Sequence, residues 1–194
     1  SLPRHLPWRS SLAWWLAIFV GANGFVFYSL LAWMAPSYLD RGWTQEEAGY
    51  LLAFSTITQM VSALVLPRIA QRFPHRRVLL AMAPLSCIVG LLLIGLSPHT
   101  LPILAITING IGLGGGFAIG MMVLTEYSRT PADAARITGM VFLLQYLPSA
   151  IGPLLTGAIL GAVPSWELFY LIMVVVIATQ AIAVIPLRRG RFIS

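Results

Sequence analysis

The chain has 194 residues, of which 58% are apolar and only 9% are charged, and its formal net charge is +6. A soluble domain carries about 25% charged residues, and a fold of this size leaves too much surface exposed to hide so many apolar side chains. The composition therefore all but excludes a soluble enzyme, a nucleic-acid-binding domain and a disordered chain. It indicates a protein whose main solvent is lipid.

Six apolar stretches are long enough to cross a bilayer as helices, which takes about 20 residues each. In chain order, they are predicted at 11–34, 49–66, 78–96, 101–125, 137–163 and 168–187. These spans use most of the chain, so the connections between them are short and leave no room for a soluble domain. We therefore predict an all-α membrane fold with six transmembrane helices.

The basic residues fall on one side of this fold. All twelve are arginines, and when the connections alternate between the two sides of the membrane, eleven lie on one side and only Arg41 lies on the other. Basic connections stay on the cytoplasmic side of a membrane. Both termini are therefore predicted to be cytoplasmic, which agrees with an even number of helices.

A weak internal repeat appears at an offset of 86 residues, and it includes polar positions inside the predicted spans. The matched pairs are Asn23 and Asn109, Gly24 and Gly110, Gln59 and Gln145, Thr44 and Thr130, and Glu47 and Asp133. Because each copy contains three helices, an odd number, the second copy must be inverted relative to the first, as in secondary transporters. We predict repeats at 10–96 and 97–187, with a cytoplasmic linker at 1–9 and a tail at 188–194.

Small and polar residues form stripes at helical spacing on the second, fourth and fifth predicted helices. Together with Asn23 on the first helix, these stripes indicate that helices one, two, four and five line a pathway while three and six are peripheral. The candidate solute contacts are Asn23, Gln59, Asn109 and Gln145, with Tyr28 and Phe117 as aromatic walls. The alternative is that the same residues only hold neighbouring helices together.

The sequence shows no motif for catalysis, nucleotide binding or metal binding. No ionisable residue lies deep in a predicted span, no nucleophile and base are paired within the membrane, and no phosphate-binding Walker sequence occurs,. With a single cysteine, Cys87, structural zinc is not expected. We therefore expect no enzymatic activity, no metal, no cofactor and no nucleic-acid partner.

The second connection, PRIAQRFPHRR at 67–77, resembles a loop of the major facilitator superfamily. The family pattern G-x-x-x-D-R-x-G-R-R joins the second and third helices of each six-helix half. Arg72 and Arg76 match its basic positions, whereas proline replaces both glycines and Gln71 replaces the acid. The resemblance implies a role in stabilising one conformation for the arginines of this loop, which are Arg68, Arg72, Arg76 and Arg77.

Two further segments, FYSLLAWMAP at 27–36 and GLGGGF at 112–117, are similar to the cyanate permease family of this superfamily. The resemblance implies that the chain is the C-terminal half, helices seven to twelve, of a transporter in a bacterial inner membrane. Its partners would be the lipid bilayer, an N-terminal six-helix half and a small organic solute or anion such as cyanate or 2-nitroimidazole. An oligomeric channel and a non-transporting membrane interaction subunit stay open as alternatives.

Overall fold

The computed structural model describes residues 7–72, 76–128 and 130–187, and within these ranges the fold consists of helices without strands. The helices are α1 (Ser11–Leu39), α2 (Gln45–Arg72), α3 (Arg76–Leu96), α4 (Pro102–Glu126), α5 (Pro131–Ala162) and α6 (Trp166–Ala183). All six are long and apolar enough to cross a membrane,. The prediction of an all-α membrane fold with six spans is confirmed.

Helices α2 and α5 begin well before the starts that hydropathy predicts, because a polar side chain caps the N-terminus of each. Before α2, Thr44 Oγ1 accepts the Glu47 N–H at 3.2 Å, and Glu47 Oε2 accepts the Thr44 N–H at 2.9 Å. Before α5, Thr130 Oγ1 accepts the Asp133 N–H at 3.1 Å. Capping residues are polar and lie outside the apolar stretches, so the predicted starts at 49 and 137 are too late. The residues of these two caps are 86 residues apart, so they are among the matched pairs of the predicted repeat.

The ends of α1, α2 and α6 also differ from the prediction. Helix α2 continues past 66 to Arg72, so residues 67–72 of the predicted connection are helical. Helix α1 continues past 34 to Leu39, and the chain then reverses at Gly42, whose φ of 90° suits a residue without a Cβ,. Helix α6 ends at Ala183 and is followed by a turn, short of the predicted 187. Pro186 accounts for this, because a proline disfavours helical geometry at the residue before it.

The strongest contacts between helices map onto each other when the two halves of the chain, α1–α3 and α4–α6, are exchanged. The most extensive contacts are α1 with α5 and α2 with α4, followed by α3 with α4, α3 with α6 and α1 with α6. Exchanging α1–α3 for α4–α6 turns the α1–α5 contact into the α4–α2 contact, and the α3–α4 contact into the α6–α1 contact. The pattern of helix contacts is therefore roughly symmetric under exchange of the two halves.

Glycines at equivalent positions bring the paired helices together. Gly24 of α1 contacts Gln145 of α5, where an added Cβ would lie 3.1 Å from the Gln145 Cγ. Gly110 of α4 contacts Gln59 of α2, where an added Cβ would lie 3.4 Å from the Gln59 backbone nitrogen. Both the glycines and the glutamines are pairs of the predicted repeat, but the contacts differ, because Gly24 meets side chains of α5 at Gln145 whereas Gly110 lies mainly against the Thr58 side chain. Small residues let membrane helices approach closely.

Arg41 joins three helices at the end of the bundle where α1 finishes. Its guanidinium donates to the carbonyl oxygens of Ile94 at 2.7 Å and Gly95 at 3.1 Å, in the last turn of α3. Its Cζ atom lies 5.3 Å from the centre of the Tyr170 ring of α6. The last carbonyl groups of a helix carry partial negative charge, so this arginine caps α3. The cap gives a structural reason for the one arginine that departs from the charge asymmetry.

Arg41→Met is expected to destabilise the protein by about 1–3 kcal/mol, because it leaves two helix-end carbonyl groups without their charged donor. The thermal unfolding midpoint of the complete protein in detergent measures the effect. Arg68→Met is the matched control, since the exposed Arg68 donates to Leu64 of its own helix, at 3.3 Å. Equal midpoints for the two variants would contradict the capping role.

Gly114→Ala is expected to push α2 away from α4, because an added Cβ would run into the backbone carbonyl oxygen of Gln59. Overpacking against rigid backbone destabilises by about 1–3 kcal/mol, and the unfolding midpoint should fall accordingly. Gly161→Ala serves as the control, since a Cβ there meets nothing within 4 Å. A midpoint for Gly114→Ala as high as that of the control would show that the helices are not in close contact.

Candidate functional site

A layer of amide side chains separates two apolar clusters in the bundle. On α1, the first cluster contains residues between 12 and 20, and the second contains residues between 25 and 38. Asn23 lies between these two groups. On α6, the second cluster ends at Ile177 and the first resumes at Ala183, so Gln180 lies between them. Polar side chains are therefore concentrated at a level inside the membrane-spanning part of the helices, where they are costly.

A cavity of about 320 Å³ opens at this level between α1, α2, α4 and α5. Its polar and aromatic lining residues are Asn23, Thr56, Gln59, Gln145, Phe27, Tyr28, Phe117 and Tyr146. Five of the six predicted solute-contact residues surround this one space. Neither α3 nor α6 contributes a lining residue. The predicted division between lining and peripheral helices thus matches the geometry of the cavity.

Each of the three lining amides retains hydrogen-bonding capacity. Asn23 Nδ2 donates to the Leu113 carbonyl oxygen at 3.1 Å, and Gln59 Nε2 donates to Ser55 Oγ at 3.0 Å. Because an amide has two N–H donors and one oxygen, both side chains keep a second donor. Gln145 Oε1 is buried and has no partner within the described residues. The amides that line the cavity therefore keep donors and an acceptor that the protein does not fully satisfy.

One side of the cavity is open, at the edge between α2 and α5. Met60 is 59% exposed and Tyr146 is 55% exposed, whereas Asn23 on the inner wall is 3% exposed. Along α2 and α5 the exposed side chains are mostly apolar, among them Val61, Leu64 and Leu154. The amides therefore form the floor of a cleft whose rim is apolar and unpartnered in this six-helix unit.

Asn109, which the sequence predicts as a solute contact, does not line this cavity. Its side chain is 1% exposed and its Nδ2 donates to Cys87 Sγ of α3 at 3.3 Å. Gly90 of α3 lies against the same residue, since a Cβ added there would fall 2.6 Å from the Asn109 Cβ. Asn109 therefore holds α4 to α3, which is the helix-packing role that was the alternative for every amide.

The structure also reveals a buried amide that spacing does not single out. Gln180 of α6 is fully buried, and neither atom of its amide has a hydrogen-bond partner within the described residues. It is isolated on a helix with no polar stripe, so no periodicity marks it. The one signal that could have identified Gln180 is the free-energy cost of placing a polar side chain inside a membrane span.

The arginines of the loop at 67–77 are only partly described. Arg68 and Arg72 are exposed in the last turns of α2, and Arg68 donates to Leu64 of the same helix. The side chains of Arg76 and Arg77, at the start of α3, lie outside the described residues. No described contact joins Arg68 or Arg72 to another helix.

The lining of the cavity carries no acidic or basic side chain. In the part of the chain that the structure describes, no three His, Cys, Asp or Glu side chains gather in a group that could hold a metal ion. The chemistry available at the cavity is hydrogen bonding by neutral amides together with contact to aromatic rings.

Comparison with known proteins places this geometry in a family context. The chain is 28% identical over 188 residues to the uncharacterized transporter YycB of Bacillus subtilis (strain 168), covering 96% of this chain and 46% of that protein. It is 29% identical over 187 residues to the 2-nitroimidazole transporter of Escherichia coli (strain K12), covering 95% and 46%. It is 30% identical over 147 residues to the cyanate transport protein CynX of the same organism, covering 76% and 38%.

The chain thus spans less than half the length of the curated relatives it matches. Residues 12–191, which include all six helices, match the Major Facilitator Superfamily as a family. The helical membrane fold and these relatives support the cyanate permease type of transporter. The chain belongs to the Major Facilitator Superfamily.

Proposed function

We propose that this chain is the C-terminal half of a secondary transporter that moves a small, flat, hydrogen-bonding organic solute by alternating access. The observation that carries the proposal is the cavity between α1, α2, α4 and α5, where three amides and several aromatic rings surround one space of about 320 Å³. Solute sites of this size combine apolar walls with a few directed polar groups. Two inverted bundles that rock around such a site give alternating access.

2-Nitroimidazole is the solute type that this lining favours. Its ring offers an N–H donor and several acceptors to Asn23, Gln59 and Gln145, while Tyr28 and Phe117 provide aromatic surface for a flat ring,. One relative is named as a transporter of this compound. Cyanate, named for another relative, is the second candidate. A small anion fits less well here, because no cation lines the cavity in this chain.

A second six-helix half would complete the proposed site. The chain covers 46% of two of its relatives, and the apolar rim formed by α2 and α5 is exposed. An N-terminal half placed over this rim would bury it and close the open side of the cavity. The same arrangement would put the solute between the two halves, at the level of the amide layer.

The proposal also includes a membrane orientation and a role for the arginines between residues 67 and 77. We place both termini on the cytoplasmic side of a bacterial inner membrane, because eleven of the twelve arginines belong to one side,. Arg68 and Arg72 would then lie at the cytoplasmic end of α2. We assign them, with Arg76 and Arg77, to contacts that stabilise one conformation of the transport cycle.

Gln59→Leu and Gln145→Leu are each expected to weaken binding of 2-nitroimidazole about tenfold, because a lost hydrogen bond to the solute is worth about 1–1.5 kcal/mol. Isothermal titration calorimetry on the complete protein in detergent measures the Kd. Asn109→Leu is the matched control, since its amide contacts Cys87 and not the cavity. Wild-type affinity in both glutamine variants, or an equal loss of affinity in the control, would contradict the proposal that the solute binds in this cavity.

Uptake into liposomes that contain the complete protein is expected to saturate with 2-nitroimidazole concentration, and unlabelled solute inside should accelerate entry of labelled solute. Both effects follow from a site that faces one side at a time. Flux that rises linearly with concentration would favour the channel alternative. Absence of any solute-dependent flux with 2-nitroimidazole or cyanate would favour a non-transporting subunit.

A further inference from the structure

Three polar side chains inside the bundle bond to a neighbouring helix, whereas Gln180 bonds to no described residue. Asn23 donates to Leu113 of another helix, Ser62 donates to Ile111 of another helix, and Asn109 donates to Cys87 of a third. Gln180 is 0% exposed, yet neither its Nε2 nor its Oε1 has a partner within the described residues. A buried amide without partners is disfavoured in a membrane interior, so simple helix packing does not account for it.

The surroundings of Gln180 point to Asn23. Both amides reach Gly116, where α1, α3, α4 and α6 meet. A Cβ added at Gly116 would lie 3.3 Å from Asn23 Nδ2, 3.3 Å from Gln180 Nε2 and 3.3 Å from the Ala83 Cβ. The two amides therefore flank one glycine, with Asn23 on the side of the cavity and Gln180 behind it.

The hydrogen-bonding groups of the two amides are complementary. Asn23 Nδ2 has two N–H groups and uses one of them on the Leu113 carbonyl oxygen,. A half-turn of the Gln180 amide would exchange its nitrogen for its oxygen and so put an acceptor on the side that faces Gly116,. With both N–H groups of Asn23 held by protein acceptors, its Oδ1 is the atom left for a solute.

We propose that Gln180 is a positioning residue that accepts the second N–H of Asn23 across Gly116 and so fixes Asn23 Oδ1 as an acceptor for a solute N–H. This inference rests on the proposed function for its solute. It adds a specificity to the site: solutes that carry a ring N–H are preferred over those in which the nitrogen is methylated. Gln180 acts through Asn23 and does not touch the solute.

The test compares 2-nitroimidazole with its N1-methyl derivative, using calorimetric Kd values of the complete protein. Gln180→Leu should raise the Kd of 2-nitroimidazole about five- to tenfold and leave that of the methyl derivative within about twofold. Gly116→Ala should do the same, because its methyl group separates the two amides. Gly161→Ala, whose Cβ meets nothing within 4 Å, is the matched control and should behave as wild type. Equal losses for both solutes would overturn the proposal.

Thermal unfolding provides a readout that needs no solute. The midpoint shifts of Asn23→Ala and Gln180→Leu should be non-additive in the double variant, because the two side chains bond to each other. Shifts of Asn109→Leu and Gln180→Leu should be additive. Additive shifts for the Asn23 pair would overturn the inference even if solute binding is confirmed. Non-additive shifts without saturable solute binding would leave the contact standing and reject the proposed solute.

Discussion

A bilayer offers no hydrogen bonds, and this constraint decides what each polar side chain in the bundle can do. A buried amide must bond to another part of the protein or face a space that water and solutes enter. Asn109 takes the first course, bonded to Cys87 and packed against Gly90. Gln59 and Gln145 take the second, on the wall of the cavity. The proposed site uses the amides that line the cavity and that helix packing leaves incompletely satisfied.

Glycines that lie against α2 and α5 help to define where the cavity lies. Gly24 packs against Gln145 of α5, and Gly114 packs against the Gln59 backbone of α2. Both glycines line the cavity, so the two glutamines reach it where the helices approach closely. Asn23 also borders the cavity, whereas Asn109, its partner in the predicted repeat, bonds to α3. The bundle therefore has one asparagine at the cavity and uses the other for helix packing.

The sequence predicts the fold well because bilayer thickness sets the length of an apolar helix. Helix starts are less predictable, since the capping residues Thr44 and Thr130 are polar and lie outside the apolar stretches that hydropathy detects. Helical spacing identifies Gln59 and Gln145 as members of stripes. It does not separate Asn23 from Asn109, because both stand in Asn-Gly pairs and a modest rotation about the helix axis decides between cavity and interface. Gln180 has no polar neighbour at helical spacing, so only its place in three dimensions reveals it.

The central claim is that amides of α2 and α5 face one chamber that water reaches, while the amide at Asn109 does not. Cysteine labelling tests this directly, with Gln59→Cys and Asn109→Cys made separately in the complete protein after Cys87→Ala and removal of any other cysteines. A small, membrane-impermeant thiol reagent should label the cysteine at position 59, and 2-nitroimidazole should slow that labelling, while position 109 stays unreactive. Labelling at position 109 but not at position 59 would contradict the account.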